Sequence, residues 1–197
     1  MKKITILSVL FLLALLVGCQ TKHRDEQSQP VSTVEITFDF NRIEKDYANN
    51  QFAVWIEDLK GNLVKTIFVT QFTAKKGWKE REEALPVWTK KSDIASLKKK
   101  QVDAISGATP TAQTLTYEWK GDNAEGDYVE AGEYKYFVEA NCLWANEVIY
   151  SGNIHIGEKE NSSIAEAWYS SDEASKFQII ENVSAKYIPI DSNDSVN

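Results

Sequence analysis

Histidine is almost missing from this chain. Two of its 197 residues are histidine: His23, in a polar N-terminal stretch, and His155, alone in a strand-like run. Two isolated imidazoles build neither a His-based metal centre nor a Ser-His-Asp triad. Gly-rich phosphate loops, Ser nucleophile elbows and metalloprotease helices are also missing. Cationic residues are in deficit, 22 Lys and Arg against 29 Asp and Glu, for a formal charge of −7. No basic cluster accompanies an aromatic platform, which argues against nucleic acid as a partner. The short run Lys98-Lys99-Lys100 reads as the solvated end of a short helix. Cysteine is scarce too, with only Cys19 and Cys142.

What is present begins with an export signal. Lys2 and Lys3 precede an apolar run from Ile4 to Val17, too short for a comfortable transmembrane helix. The run ends in Leu16-Val17-Gly18-Cys19, which resembles a bacterial lipobox. Residues 1–19 are therefore expected to be a lipoprotein signal, cut before Cys19, whose thiol then carries a diacylglycerol. Removing Lys2 and Lys3 takes the charge from −7 to −9. It also leaves Cys142 as the sole free thiol, so no intramolecular disulfide is available. Within Val138 to Leu143, Cys142 reads as a small buried hydrophobe rather than a nucleophile. Residues 20–32 are polar and aperiodic, a flexible tether. Gln20 does not resemble the Asp that retains lipoproteins on the inner membrane, so an outer-membrane site is favoured.

The rest alternates like strands. Val34 to Phe40 is half-buried, and Phe52 to Asp58 is more apolar and central. Gly61 turns the chain into a third strand, Leu63 to Thr70, so that 52–70 form a hairpin. Phe72 to Lys100 breaks the alternation and reads as a helical insertion, with Ser92 as N-cap of a short helix. Trp78 and Trp88 within it are core plugs or a pocket wall. Thr114 to Lys120, Glu133 to Leu143 and Asn146 to Ile156 are further strands, the first two expected to form a hairpin. After Gly157 comes a polar linker, then Ala165 to Tyr169 and Phe177 to Tyr187 as a last pair. The expected fold is all-β, an Ig-like β-sandwich over 33–188 with a short helical insertion, and a disordered tail at 189–197.

Trp119-Lys120-Gly121-Asp122-Asn123-Ala124-Glu125-Gly126-Asp127, followed by Gly132 and Tyr134, resembles the immunoglobulin-like module of flagellar hook-cap proteins. With Val54 to Asp58, Gly61 and Ser106 to Thr109 added, the order over residues 34–157 is similar to the exported domain-of-unknown-function family 2271. The resemblance implies an Ig-like β-sandwich and no flagellar role.

Asp103-Ala104-Ile105-Ser106-Gly107-Ala108-Thr109 matches a second pattern, the Asp-x-x-Ser/Thr-Gly-Ala-Thr/Ser motif of covalently flavinylated proteins. It is similar to FMN-binding domains of sodium-pumping quinone reductases, where a flavin transferase joins the FMN phosphate to the last threonine, here Thr109. That chemistry needs a hydroxyl on an accessible loop. Gly107 and Ala108 would admit the transferase to the backbone, and Asp103 would help present the loop. The same residues also make an ordinary structural turn, since Ser106 and Gly107 form turns and Thr109-Pro110 enters a strand in extended form.

Asp122, Asn123, Glu125 and Asp127 gather oxygen ligands, but their spacing is not that of an EF-hand, and a solvated turn accounts for them. Two functions follow. One is a non-enzymatic electron carrier, anchored outside the cytoplasm, bearing covalent FMN on Thr109 and fed by a membrane reductase. The other is a cofactor-free binding or assembly module of the cell envelope.

Overall fold

The computed structural model describes residues 32–45 and 48–190. The export signal with Cys19, the tether through residue 31, the tail from 191 and the side chain of Cys142 lie outside the described residues.

The fold is a β-sandwich. β1 (Thr33–Phe40), β2 (Gln51–Glu57) and β3 (Leu63–Thr70) come first. An irregular turn, Thr73–Gly77, then leads into three short helices: α1 (Trp78–Glu80), α2 (Pro86–Ser92) and α3 (Lys99–Ile105). β4 (Ser106–Gly107), β5 (Gln113–Trp119), β6 (Gly132–Leu143) and β7 (Asn146–Ile156) follow, then β8 (Asn161–Ile164), β9 (Glu166–Tyr169) and β10 (Ile180–Ile188). One sheet has the order β5-β1-β10-β8 and the other β4-β3-β2-β6-β7-β9.

β1 shows why the sheets pack. Its even positions, Val34, Ile36, Phe38 and Phe40, are buried while the odd ones are half-exposed. They meet Phe52, Val54 and Ile56 of β2 and Tyr136 and Val138 of β6 in one core between the sheets. β2 is buried along its whole length. Its odd positions, Ala53 and Trp55, face away from that core into a second one, with Val69, Ala74, Leu85, Trp88 and Ile94. A strand covered on both faces reads as a continuous apolar run, as 52–56 does. The helical insertion is thus a lid over the outer face of the larger sheet, and Trp88 is a core plug.

Two buried glutamates fasten this lid. Glu139 of β6 is fully buried, and its two carboxyl oxygens accept the backbone N–H of Val87 (3.0 Å) and of Trp88 (2.7 Å) at the start of α2. Those are orphan donors of a helix N-terminus. At the other end of the lid, Glu57 accepts from Trp55 Nε1 (2.8 Å) and from Lys91 Nζ (2.8 Å).

The structure corrects four expectations. β5 and β6 are not a hairpin: β5 pairs with β1 and β6 with β2 and β7, so residues 120–131 arch between the sheets. The arch is held by an edge contact between Trp119 and Tyr134, centroids 5.3 Å apart, and by Trp119 Nε1 donating to the Asp122 carbonyl (2.7 Å). Ala165 to Tyr169 and Phe177 to Tyr187 do not pair; β9 joins β7, whereas β10 lies between β1 and β8 in the opposite sheet. The linker after Gly157 contains β8, since Asn161 to Ile164 find partners on β10. Ser92 is not an N-cap but the buried last residue of α2, and Asp93 in left-handed conformation ends that helix. The lysine run lies at the start of α3, where Lys98 is the capping position.

Candidate functional site

The segment 103–109 is not one loop. Asp103 to Ile105 finish α3, Ser106 and Gly107 form β4, and Ala108 onward is irregular chain. β4 runs parallel to β3, with Val69 opposite Ser106 and Thr70 opposite Gly107. Ala108 is exposed and Thr109 half-exposed, so the hydroxyl-bearing residue stands outside both packed cores. The loop beyond it is tied by Arg42, whose Nη1 donates to the Pro110 carbonyl (3.4 Å).

Gly107 has a packing reason of its own. A Cβ there would lie 2.6 Å from Cε2 of Phe68. Phe68 cannot swing freely, because its ring packs against Phe52 (5.2 Å) and Tyr117 (4.8 Å). Gly107→Ala is therefore expected to destabilise the protein by about 1–3 kcal/mol, the usual cost of overpacking. Thermal melting checks this, and an unchanged Tm would show that the ring yields without cost. Ser106 Oγ is buried with no hydrogen-bond partner among the described residues. An orphaned hydroxyl is uncommon inside a protein and marks a place where a further polar group fits.

Asp103 is held by lysines. Its carboxylate pairs with Lys99, one turn earlier on α3, and with Lys75 (3.7 Å) from the turn after β3. The hydrogen bond from Lys99 and the charges of Lys99 and Lys75 hold the carboxyl below the usual aspartate range. It lies on the wall of a hollow.

That hollow has a volume of about 480 Å³, within the size range of small-molecule pockets. Ile94, Leu97 and Val102 give it an apolar lining, to which Trp78 adds an aromatic ring. Four lysines surround it, Lys75, Lys76, Lys79 and Lys99, against the single carboxylate of Asp103. This is a cationic spot on a chain of net charge −7. Lys76 sits there with φ +79°, a conformation unusual for a residue with a side chain and often found at functional sites. Thr109 itself is not among the residues lining the hollow.

Sequence reading missed the lysines and the hollow. The one signal for them was that Lys75, Lys76, Trp78 and Lys79 interrupt the strand pattern; of the two insertion tryptophans, Trp78 is the pocket wall. The acidic turn at 122–127 is explained by local bonds: Asn123 Oδ1 accepts from the backbone N–H of Glu125 (3.0 Å) and Asp127 (2.9 Å), and Asp122 pairs with Lys65. Among the described residues no group of three or more His, Cys, Asp or Glu is placed to hold a metal.

A family described as "Predicted periplasmic protein (DUF2271)" has a model that matches residues 33–169. No curated protein and no solved structure matches the chain.

Proposed function

The chain belongs to the DUF2271 family of predicted periplasmic proteins, and we propose that it is a lipid-anchored electron carrier, with FMN joined through its phosphate to the Thr109 hydroxyl. The observation that carries this reading is the placement of the Asp103–Thr109 motif. It begins on the wall of a cationic, aromatic-sided hollow and ends on half-exposed chain just past β4. The residues present fit the group: a half-exposed Thr109 at the end of the motif, a buried Ser106 hydroxyl without a partner among the described residues, and lysines that suit an anion.

Attachment is carried out by a separate flavin transferase. The Thr109 Oγ–phosphorus bond forms as the phosphoanhydride bond of a flavin dinucleotide donor breaks. The hydroxyl proton goes to the transferase's base, and the nucleotide monophosphate leaves. The small, exposed side chain of Ala108 leaves room for that approach. Once bound, the flavin supplies reversible one- and two-electron transfer. The chain supplies the covalent tether, the apolar and cationic surroundings, and the anchor at Cys19, so the protein is a carrier and not an enzyme. A membrane reductase feeds it. Diacylation gives the two hydrocarbon chains that stable anchoring takes, and Gln20 favours the outer membrane.

A second reading draws on Gly107. Its contact with Phe68 gives the motif's glycine a purely structural use, as expected of a cofactor-free envelope module. Co-expression with and without a flavin transferase separates the two. Flavin fluorescence that stays with the denatured chain on a gel only when the transferase is present supports the carrier. Its absence in both supports the module.

A further inference from the structure

We propose that the hollow beside α3 is the seat of the flavin ring, with Trp78 stacked on the isoalloxazine and Lys75 and Lys99 at its pyrimidine end. The inference rests on the carrier reading and adds to it where the ring goes. Three observations carry it. First, β4 runs parallel to β3, so Ala108 and Thr109 leave the sheet in the same direction as Gln71 and Phe72, and the next residues on that path, Ala74 and Lys75, line the hollow. Second, Asp103 lies on its wall, and six residues cap the Cα separation from there to Thr109 at about 20 Å; the helical rise over 103–105 shortens it further. Third, the lining mixes apolar and cationic side chains, as the ring has an apolar and a polar end. Ile94, Leu97 and Val102 suit the dimethylbenzene end. The lysines suit the carbonyl-bearing end, on which negative charge collects when the flavin is reduced.

Asp103 holds both Lys75 and Lys99, which brings cations from two elements to one edge of the hollow. Cations at that edge favour the reduced, anionic form and raise the midpoint potential.

The test uses the full chain flavinylated by co-expression, with covalent flavin verified by intact mass for every variant. An indole stacked on a flavin quenches its emission. Folded wild type is therefore expected to be several-fold less fluorescent than the same protein unfolded. Trp78→Ala should remove most of that difference, Trp78→Phe should remove part of it, and Trp168→Ala, on β9, should leave it unchanged. The Lys75→Gln, Lys99→Gln double variant should keep the quenching and shift the midpoint potential to more negative values. Flavin that is covalently present, equally bright folded and unfolded, and indifferent to Trp78 would overturn the seat while leaving the carrier intact. A wild type without flavin mass would overturn both.

Discussion

Thr109→Ala is expected to lose all covalent flavin while keeping its fold. Thr109 is half-exposed and lies past the end of β4, outside both cores, so the change removes a hydroxyl and a methyl from irregular chain. Substitutions away from packed features move stability by about 0.5 kcal/mol or less. Thr109→Ser keeps the nucleophilic oxygen and should retain flavin. The pair of variants isolates the hydroxyl from the shape of the loop. Both are read by flavin absorbance after denaturing gel filtration, with thermal melting as the folding control. Flavin retained on the alanine variant would place the covalent attachment at another residue.

Glu139→Ala is expected to cost about 2–4 kcal/mol, since each buried donor left without a partner costs about 1–3 kcal/mol, partly offset by relief of burying a carboxyl. The two donors are the N–H groups of Val87 and Trp88. The damage should centre on the lid, so the hollow loses its shape and the flavin quenching is lost with it. Chemical denaturation measures the first effect and folded-state fluorescence the second. A more stable variant would mean that the carboxyl is a burden on the fold and no anchor.

The same residue sets a pH dependence. Burial, and then the neighbouring Glu147, push the Glu139 carboxyl well above the ordinary value of 4.5, while the two backbone N–H groups pull the other way. A folded-state pKa above the unfolded one means that the folded chain holds its proton more tightly. The contribution to stability is full below about pH 4.5 and is lost as the pH rises through the raised value. Glu147→Gln removes the neighbouring charge, so it should flatten this slope and raise Tm more at about pH 8 than at about pH 5, two values above the ordinary carboxyl range. A Tm difference equal at the two pH values would show that the Glu147 charge does not help raise the Glu139 carboxyl.

Strands were legible in the sequence, and their partners were not. Alternation in 34–40 and the Gly61 turn located β1 and the β2–β3 hairpin, because those signals are local. Whether β5 turns back onto β6 or arches to the other sheet depends on contacts with β1, about eighty residues earlier in the chain, and no local pattern encodes that. Alternation puts Glu139 on the face of its strand opposite Tyr136 and Val138 and does not say what covers that face. That face is buried because the insertion covers it, and the uninterrupted apolar run of β2 was the available sign of a second layer. At the site, the motif located Asp103 and Thr109 but not the surroundings. Lys75 and Trp78 meet α3 only through the fold, and their charge and ring have no periodicity to read.

The central claim is one bond between a flavin phosphate and one hydroxyl. Intact mass followed by peptide mapping, on full-length protein co-expressed with a flavin transferase, tests it most directly. The account predicts a mass increase of one FMN less one water, carried by the peptide that contains Thr109. An unmodified mass, or flavin mapped to any other residue, would contradict it.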